Sequence, residues 1–178
     1  MSIKKELDNF FARFLEKFQE TTDGLPRMPR RKDIDQAVYV GEADVSGWCK
    51  WRPLPHGREE AFLKMLETYG IEKNADIVEY FTSYHFLHFC INYNKKIIGI
   101  GIVDPRDDYL NLKQGIRSYM DQNGMIPYLP IGYDNTTGHE IVVEVKTGTV
   151  KSVNYETMKT RKIASSLEEF IKGWEPMT

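Results

Sequence analysis

Between Ile3 and Phe18 the apolar residues Ile3, Leu7, Phe10, Phe11, Phe14, Leu15 and Phe18 recur at three- and four-residue steps, so they fall on one stripe of a helix. A stripe this rich in phenylalanine needs an equally apolar layer to cover it. The chain can supply one: 41% of its 178 residues are apolar, enough for one domain over residues 1–178 to bury a core without disulfides or a structural metal. Asp23-Gly24 should stop the helix.

Beyond it, Leu25 to Lys32 contains two prolines and four bases, which predicts a surface connection with no regular pairing. Gln36–Gly41 and Ser46–Arg52 read as a hairpin around Glu42-Ala43-Asp44, with Val38, Val40, Trp48 and Trp51 packing inward. Arg58–Tyr69 places Phe62, Met65, Leu66 and Tyr69 on one helical face, and Asn74 caps a second short helix running to Tyr84. Phe86–Asn92 and Lys96–Val103 form a β-branched and aromatic hairpin expected near the centre of a sheet. Asp104-Pro105 is expected to start a helix with Tyr109, Leu112, Ile116, Tyr119 and Met120 inside, ended by Asn123-Gly124. Three short strands follow, Pro127–Asp134, His139–Val145 and Thr149–Val153. Ser165 and Ser166 each stand three residues before a glutamate, the spacing of a capping box, and open a closing helix to Trp174. The expected class is α+β, a largely antiparallel sheet flanked by helices, with Trp51, Phe81, Ile141, Phe170 and Trp174 in the core.

Chemistry is sparse. His85 and His88 would share a metal only on a continuous helix; at a helix end running into a strand they point to opposite faces, and no third ligand is near. No metal and no organic cofactor is therefore expected. Cys90 with either His85 or His88 has the elements of a nucleophile and its base, but within Phe89-Cys90-Ile91 it reads as a small buried residue. Gly99-Ile100-Gly101 lacks the third glycine of a phosphate loop and runs into Asp104, so these glycines are read as positions where a neighbour lies close on the strand. No pair of carboxylates is singled out for acid–base work, and the chain is expected not to be an enzyme.

Two cysteines, Cys49 and Cys90, and no apolar run of the roughly 18 residues needed to span a bilayer, point to a reduced, cytoplasmic protein. The net charge of −2 argues against general nucleic-acid binding. It conceals an asymmetry, because residues 33–144 hold 17 acids and 10 bases while the flanks together hold 9 and 14. The acids of interest are Glu42, Asp44, Asp104, Asp107 and Asp108. The last three are also accounted for as charges in a first helical turn, favoured by the helix dipole. Arg27, Arg30, Arg31 and Lys32 have no stacking aromatics among them and read as a solvated loop rather than an anionic contact.

Several strings resemble the Syd, or SecY-interacting, family and the wider SUKH superfamily. Trp51-Arg52-Pro53 resembles the family's motif closing the early hairpin, and Glu79-Tyr80-Phe81-Thr82-Ser83-Tyr84 its aromatic string before the central hairpin. Asp107-Asp108-Tyr109 is similar to the acidic pair and aromatic that open its middle helix. Pro130-Ile131-Gly132, Ile141–Gly148 and, most specifically, Ile163–Phe170 are similar to its later strands and closing helix. The resemblance implies a non-enzymatic protein-binding module whose sheet presents a concave, acidic groove. In Syd-like proteins the implied partner is a basic cytosolic loop of the SecY translocon, at the inner face of the cell membrane. In many SUKH relatives it is a secreted toxin, often a nuclease, neutralised by an immunity protein. The acidic pair and the charge asymmetry together make Glu42, Asp44, Asp104, Asp107 and Asp108 the expected partner-binding residues. The basic 27–32 connection and the longer early hairpin depart from the family's pattern.

Overall fold

The computed structural model describes residues 2–22 and 24–178; Asp23 of the predicted turn lies outside the described residues. In chain order the elements are α1 (Ile3–Thr21), β1 (Arg27–Pro29), β2 (Tyr39–Val40), β3 (Trp48–Trp51), β4 (Leu54–Pro55), α2 (Glu59–Thr68), α3 (Ala75–Ser83) and β5 (Tyr84–His85). They continue with β6 (Phe89–Tyr93), β7 (Lys96–Ile100), α4 (Leu110–Ile116), β8 (Tyr128–Asp134), β9 (Glu140–Glu144), β10 (Val150–Val153), β11 (Thr160–Ala164), α5 (Leu167–Lys172) and β12 (Glu175–Pro176).

Seven strands form one sheet in the order β11-β10-β9-β8-β7-β6-β12. Every pairing among the described strands is antiparallel, so the α+β class holds. β8 is its central strand; the β6–β7 hairpin lies to one side, with only the two-residue β12 outside it. Asn94 and Lys95 turn that hairpin with φ of 48° and 64°, the left-handed pair that a two-residue connection requires.

α1 lays its stripe on this sheet. Phe10, Phe11 and Phe14 are buried and meet Phe89 at 5.2–5.9 Å between ring centroids, while Phe10 also meets Trp174 edge-on at 5.1 Å. Trp51, Phe81, Ile141, Phe170 and Trp174 are all buried, as expected. Alternation along β9 divides the faces: Ile141 and Val143 join this main core, whereas Val142 packs with Tyr119, Tyr128 and Val153 in a second cluster on the opposite face. α4 and the 3-10 turn after it therefore cover only part of that second face.

Four expectations are corrected. The proline-flanked connection does pair, because Arg27–Pro29 is an edge strand of the order β1-β3-β2, where proline's missing N–H need not enter the ladder. Trp48 and Met120 are exposed rather than core. The helix expected at Asp104 begins only at Leu110, since Asp107, Asp108 and Tyr109 adopt φ of 52°, 52° and 63°. The last two strands, β11 and β12, were not anticipated; Thr160–Lys162 is an exposed polar edge and β12 is too short to carry a period. α5 is capped as expected, with Ser166 Oγ accepting from the Glu169 N–H and Glu169 Oε2 accepting from the Ser165 N–H.

Candidate functional site

The segment 104–109 is fastened at both ends. Asp104 is buried, its Oδ1 accepts the Arg106 N–H at 3.1 Å and its Oδ2 accepts from Asn111 Nδ2 at 3.5 Å. The Arg106 guanidinium donates to the carbonyls of Lys32 and Ile34, tying the segment to the chain before β2. At the other end Tyr109 is buried, its hydroxyl donates to the Phe81 carbonyl at 3.1 Å, and its ring meets Phe62 at 5.0 Å. Between these anchors Asp107 and Asp108 are held exposed, in a backbone region that side-chain-bearing residues seldom adopt. Asp107 makes a loose ion pair with Arg106 at 3.6 Å.

The five expected acids thus fall into three environments. Asp104 faces inward, and burial pushes its pKa up. Glu42 and Asp44 lie on the β2–β3 hairpin as counter-ions of the basic connection, Glu42 at 3.6 Å from Arg30 and Asp44 against Arg27. Asp44 also accepts the Trp48 and Ser46 N–H groups, which with Arg27 hold its carboxyl below the usual range. Arg31 is matched by Asp33 in the same way. Such exposed pairs are screened by solvent and add little to stability. Asp107 and Asp108 remain as outward charges.

Two further acids share that end of the molecule. Glu59 and Glu60 open α2 directly after Arg58, whose carbonyl lies 3.5 Å from the Tyr109 hydroxyl, and α2 presents Phe62 to the same ring. Both glutamates are exposed. The long-range Tyr109 contacts relate them to Asp107 and Asp108.

Behind α4 the open part of the sheet forms a trough of about 560 Å³, with Gly101 and Gly132 in its lining, Leu112 on one wall, and Tyr133, Glu140 and Tyr155 around it. Two strand glycines leave no room for a side chain, Gly132 in the trough and Gly99 on the neighbouring strand. A Cβ on Gly132 would sit 2.3 Å from the Gly99 carbonyl oxygen, and one on Gly99 would sit 2.7 Å from His88 Cε1. Tyr133 and Tyr155 expose 44% and 50% of their surface, so two aromatic rings of the trough are open to solvent. Glu140 accepts a hydrogen bond from the Tyr119 hydroxyl; burial raises the pKa of both, and the bond opposes that rise at Glu140. Asn111, on the trough wall, comes three residues after Asp108. No sequence period could reveal this site, because its lining residues come from strands, α4 and turns brought together only in the folded chain.

His85 and His88 do face apart. His85 is buried near Asp104, while His88 stacks on Tyr133 at 5.7 Å with rings nearly parallel at 6°. Among the described residues no group of three or more His, Cys, Asp or Glu side chains is placed to hold a metal ion. None of their helices is long and apolar enough to cross a membrane.

Comparison with known proteins gives one result that spans the chain. The family model described as Syd protein (SUKH-2) matches residues 4–176. No curated protein matches the sequence.

Proposed function

Because the chain belongs to the Syd protein (SUKH-2) family, a family of protein-binding or immunity-type modules, we propose that it binds a basic segment of a partner protein without catalysing a reaction. The partner we assign is a cytosolic loop of the SecY translocon, which would hold the protein peripherally at the inner face of the membrane. The observation that carries this reading is the fastening of 104–109: Asp104, Arg106 and Tyr109 are all engaged with the interior or with residues 32–34, and only Asp107 and Asp108 are left facing out. A backbone held in left-handed conformations is costly, and such strain recurs where a surface must be presented in one geometry. Glu59 and Glu60 extend the same negative end, and the trough beside α4 supplies apolar and aromatic surface for a segment that follows. Glu42 and Asp44 contribute once Arg30 and Arg27 are drawn away.

The test is binding to SecY translocon reconstituted in lipid discs, against discs without it. Saturable binding to the translocon discs alone is expected, with loss on Asp107→Lys, Asp108→Lys while the circular dichroism spectrum is kept. Equal binding to both discs would overturn the SecY assignment. The immunity reading uses the same charged end against a basic toxin domain; protection of cells expressing a co-encoded toxin, in the absence of translocon binding, would put it in first place.

A further inference from the structure

We propose that Cys90 is a reactive thiol, activated by His88, that exchanges with small disulfides. The sequence suggests a buried, inert cysteine; in the structure Cys90 is half-buried and unpaired, while Cys49 is fully buried. His88 Nε2 lies 4.0 Å from Cys90 Sγ. The tautomer follows from the other nitrogen: His88 Nδ1 is 2.8 Å from the Ile100 carbonyl oxygen, which can only accept, so Nδ1 carries the proton and Nε2 presents its lone pair to the thiol. The ring is held by its parallel stack on Tyr133, over a strand position where only glycine fits. Asn135 Nδ2 donates toward Sγ from the other side at 3.6 Å. A base of fixed tautomer and orientation, beside a nucleophile that also receives a neutral donor, is the arrangement that activates a thiol.

The neighbouring charges leave this role to His88. Lys96 on β7 is bound to Asp134 on β8 at 2.7 Å, Arg27 on β1 is engaged by Asp44, and Glu175 on β12 stands opposite Asn92. Room for a second sulfur exists: a cavity of about 340 Å³ is lined by His88 and Cys90 together with Met28, Phe89 and Met177. In the exchange the thiol proton passes to His88 Nε2 and the thiolate attacks one sulfur of the disulfide. The new S–S bond forms as the old one breaks, and the departing thiolate takes the proton back from His88. No further oxidant or reductant is consumed. The inference does not depend on the identity of the protein partner.

Dithiobis(nitrobenzoate), a small disulfide that releases a coloured thiolate, tests it on the intact chain. One fast-reacting thiol is expected, absent in Cys90→Ser and retained in Cys49→Ser. Its rate should fall about tenfold or more in His88→Gln. Should His88→Gln fail to fold, the imidazole of His88 followed by NMR replaces it, and its ring resonances at neutral pH must differ between wild type and Cys90→Ser. A Cys90 that reacts no faster than the same thiol in the denaturant-unfolded chain, an unchanged rate in His88→Gln, or imidazole resonances indifferent to Cys90→Ser would each overturn the proposal.

Discussion

The Tyr109 hydroxyl donates to the carbonyl of Phe81 at 3.1 Å, so the last residue of a left-handed run is bonded to the helix α3 beneath it. That bond is the anchor on the C-terminal side of the exposed acids at 107 and 108, opposite Asp104 and Arg106. Tyr109→Phe keeps the ring against Phe62 and leaves the Phe81 carbonyl without this partner, which should cost about 1–3 kcal/mol. Hydrogen exchange should then rise first within 104–112. A variant with unchanged stability and unchanged exchange there would show that the segment is held by Asp104 and Arg106 alone.

The floor of the trough gives a second prediction. On Gly132 a methyl group would meet backbone, not a flexible side chain, at 2.3 Å, so Gly132→Ala must push β7 and β8 apart. Overpacking of this kind costs about 1–3 kcal/mol and sometimes more. Gly101→Ala, whose Cβ would approach the Ile131 carbonyl oxygen at 3.4 Å, should be milder. Urea denaturation of the pair decides it, and equal losses would contradict the assigned packing.

Two histidines set the pH dependence. Burial pushes His85 down to about 4; His56 is pushed to about 4 by burial and by the neighbouring His85, partly opposed by the Phe81 and Tyr84 carbonyls. His85 lies 3.7 Å from Asp104, beyond hydrogen-bond reach, and its Nε2 has no partner. Between pH 4 and 6.5 the unfolded chain takes up protons that the folded chain refuses, so stability falls as pH drops through that window. For the more buried His85 the loss is on the order of 3 kcal/mol at the acid limit. Asp104 and Glu140, raised by burial, work in the opposite direction. Urea midpoints at pH 7 and pH 5 should differ in the wild type and differ less in His85→Gln, where His56 alone remains; an equal difference in both would remove His85 from the account.

What the sequence disclosed follows the range of the interactions. The helices α1, α2, α3 and α5 were legible because period and caps are local: Ser166 and Asn74 cap where expected, and Gly70 follows α2 with φ of +63°. The start of α4 was misread because Asp104-Pro105 carries a good local signal that tertiary contacts override. Asp104 is drawn inward, Arg106 reaches the carbonyls of Lys32 and Ile34, and the helix is delayed to Leu110. The same override explains the acids. Glu42 and Asp44 were grouped with Asp107 by sign, but their nearest charges are Arg30 and Arg27, which a count along the chain cannot show. That Cys90 has a histidine nearby was visible in the sequence, but which histidine and which tautomer were not, since both depend on the Ile100 carbonyl in the next strand.

The central claim is that Asp107 and Asp108 meet a basic partner, and the salt dependence of that encounter tests it most directly. Charges across a rim govern steering and salt sensitivity, and screening tightens from a Debye length of about 10 Å at 0.1 M to about 3 Å at 1 M. The affinity for reconstituted SecY translocon should be measured from low to high salt for the wild type and for Asp107→Lys, Asp108→Lys. The account predicts a steep loss with salt in the wild type, and in the folded variant a weaker affinity with a flat or reversed slope. The same affinity and the same slope in both would contradict it.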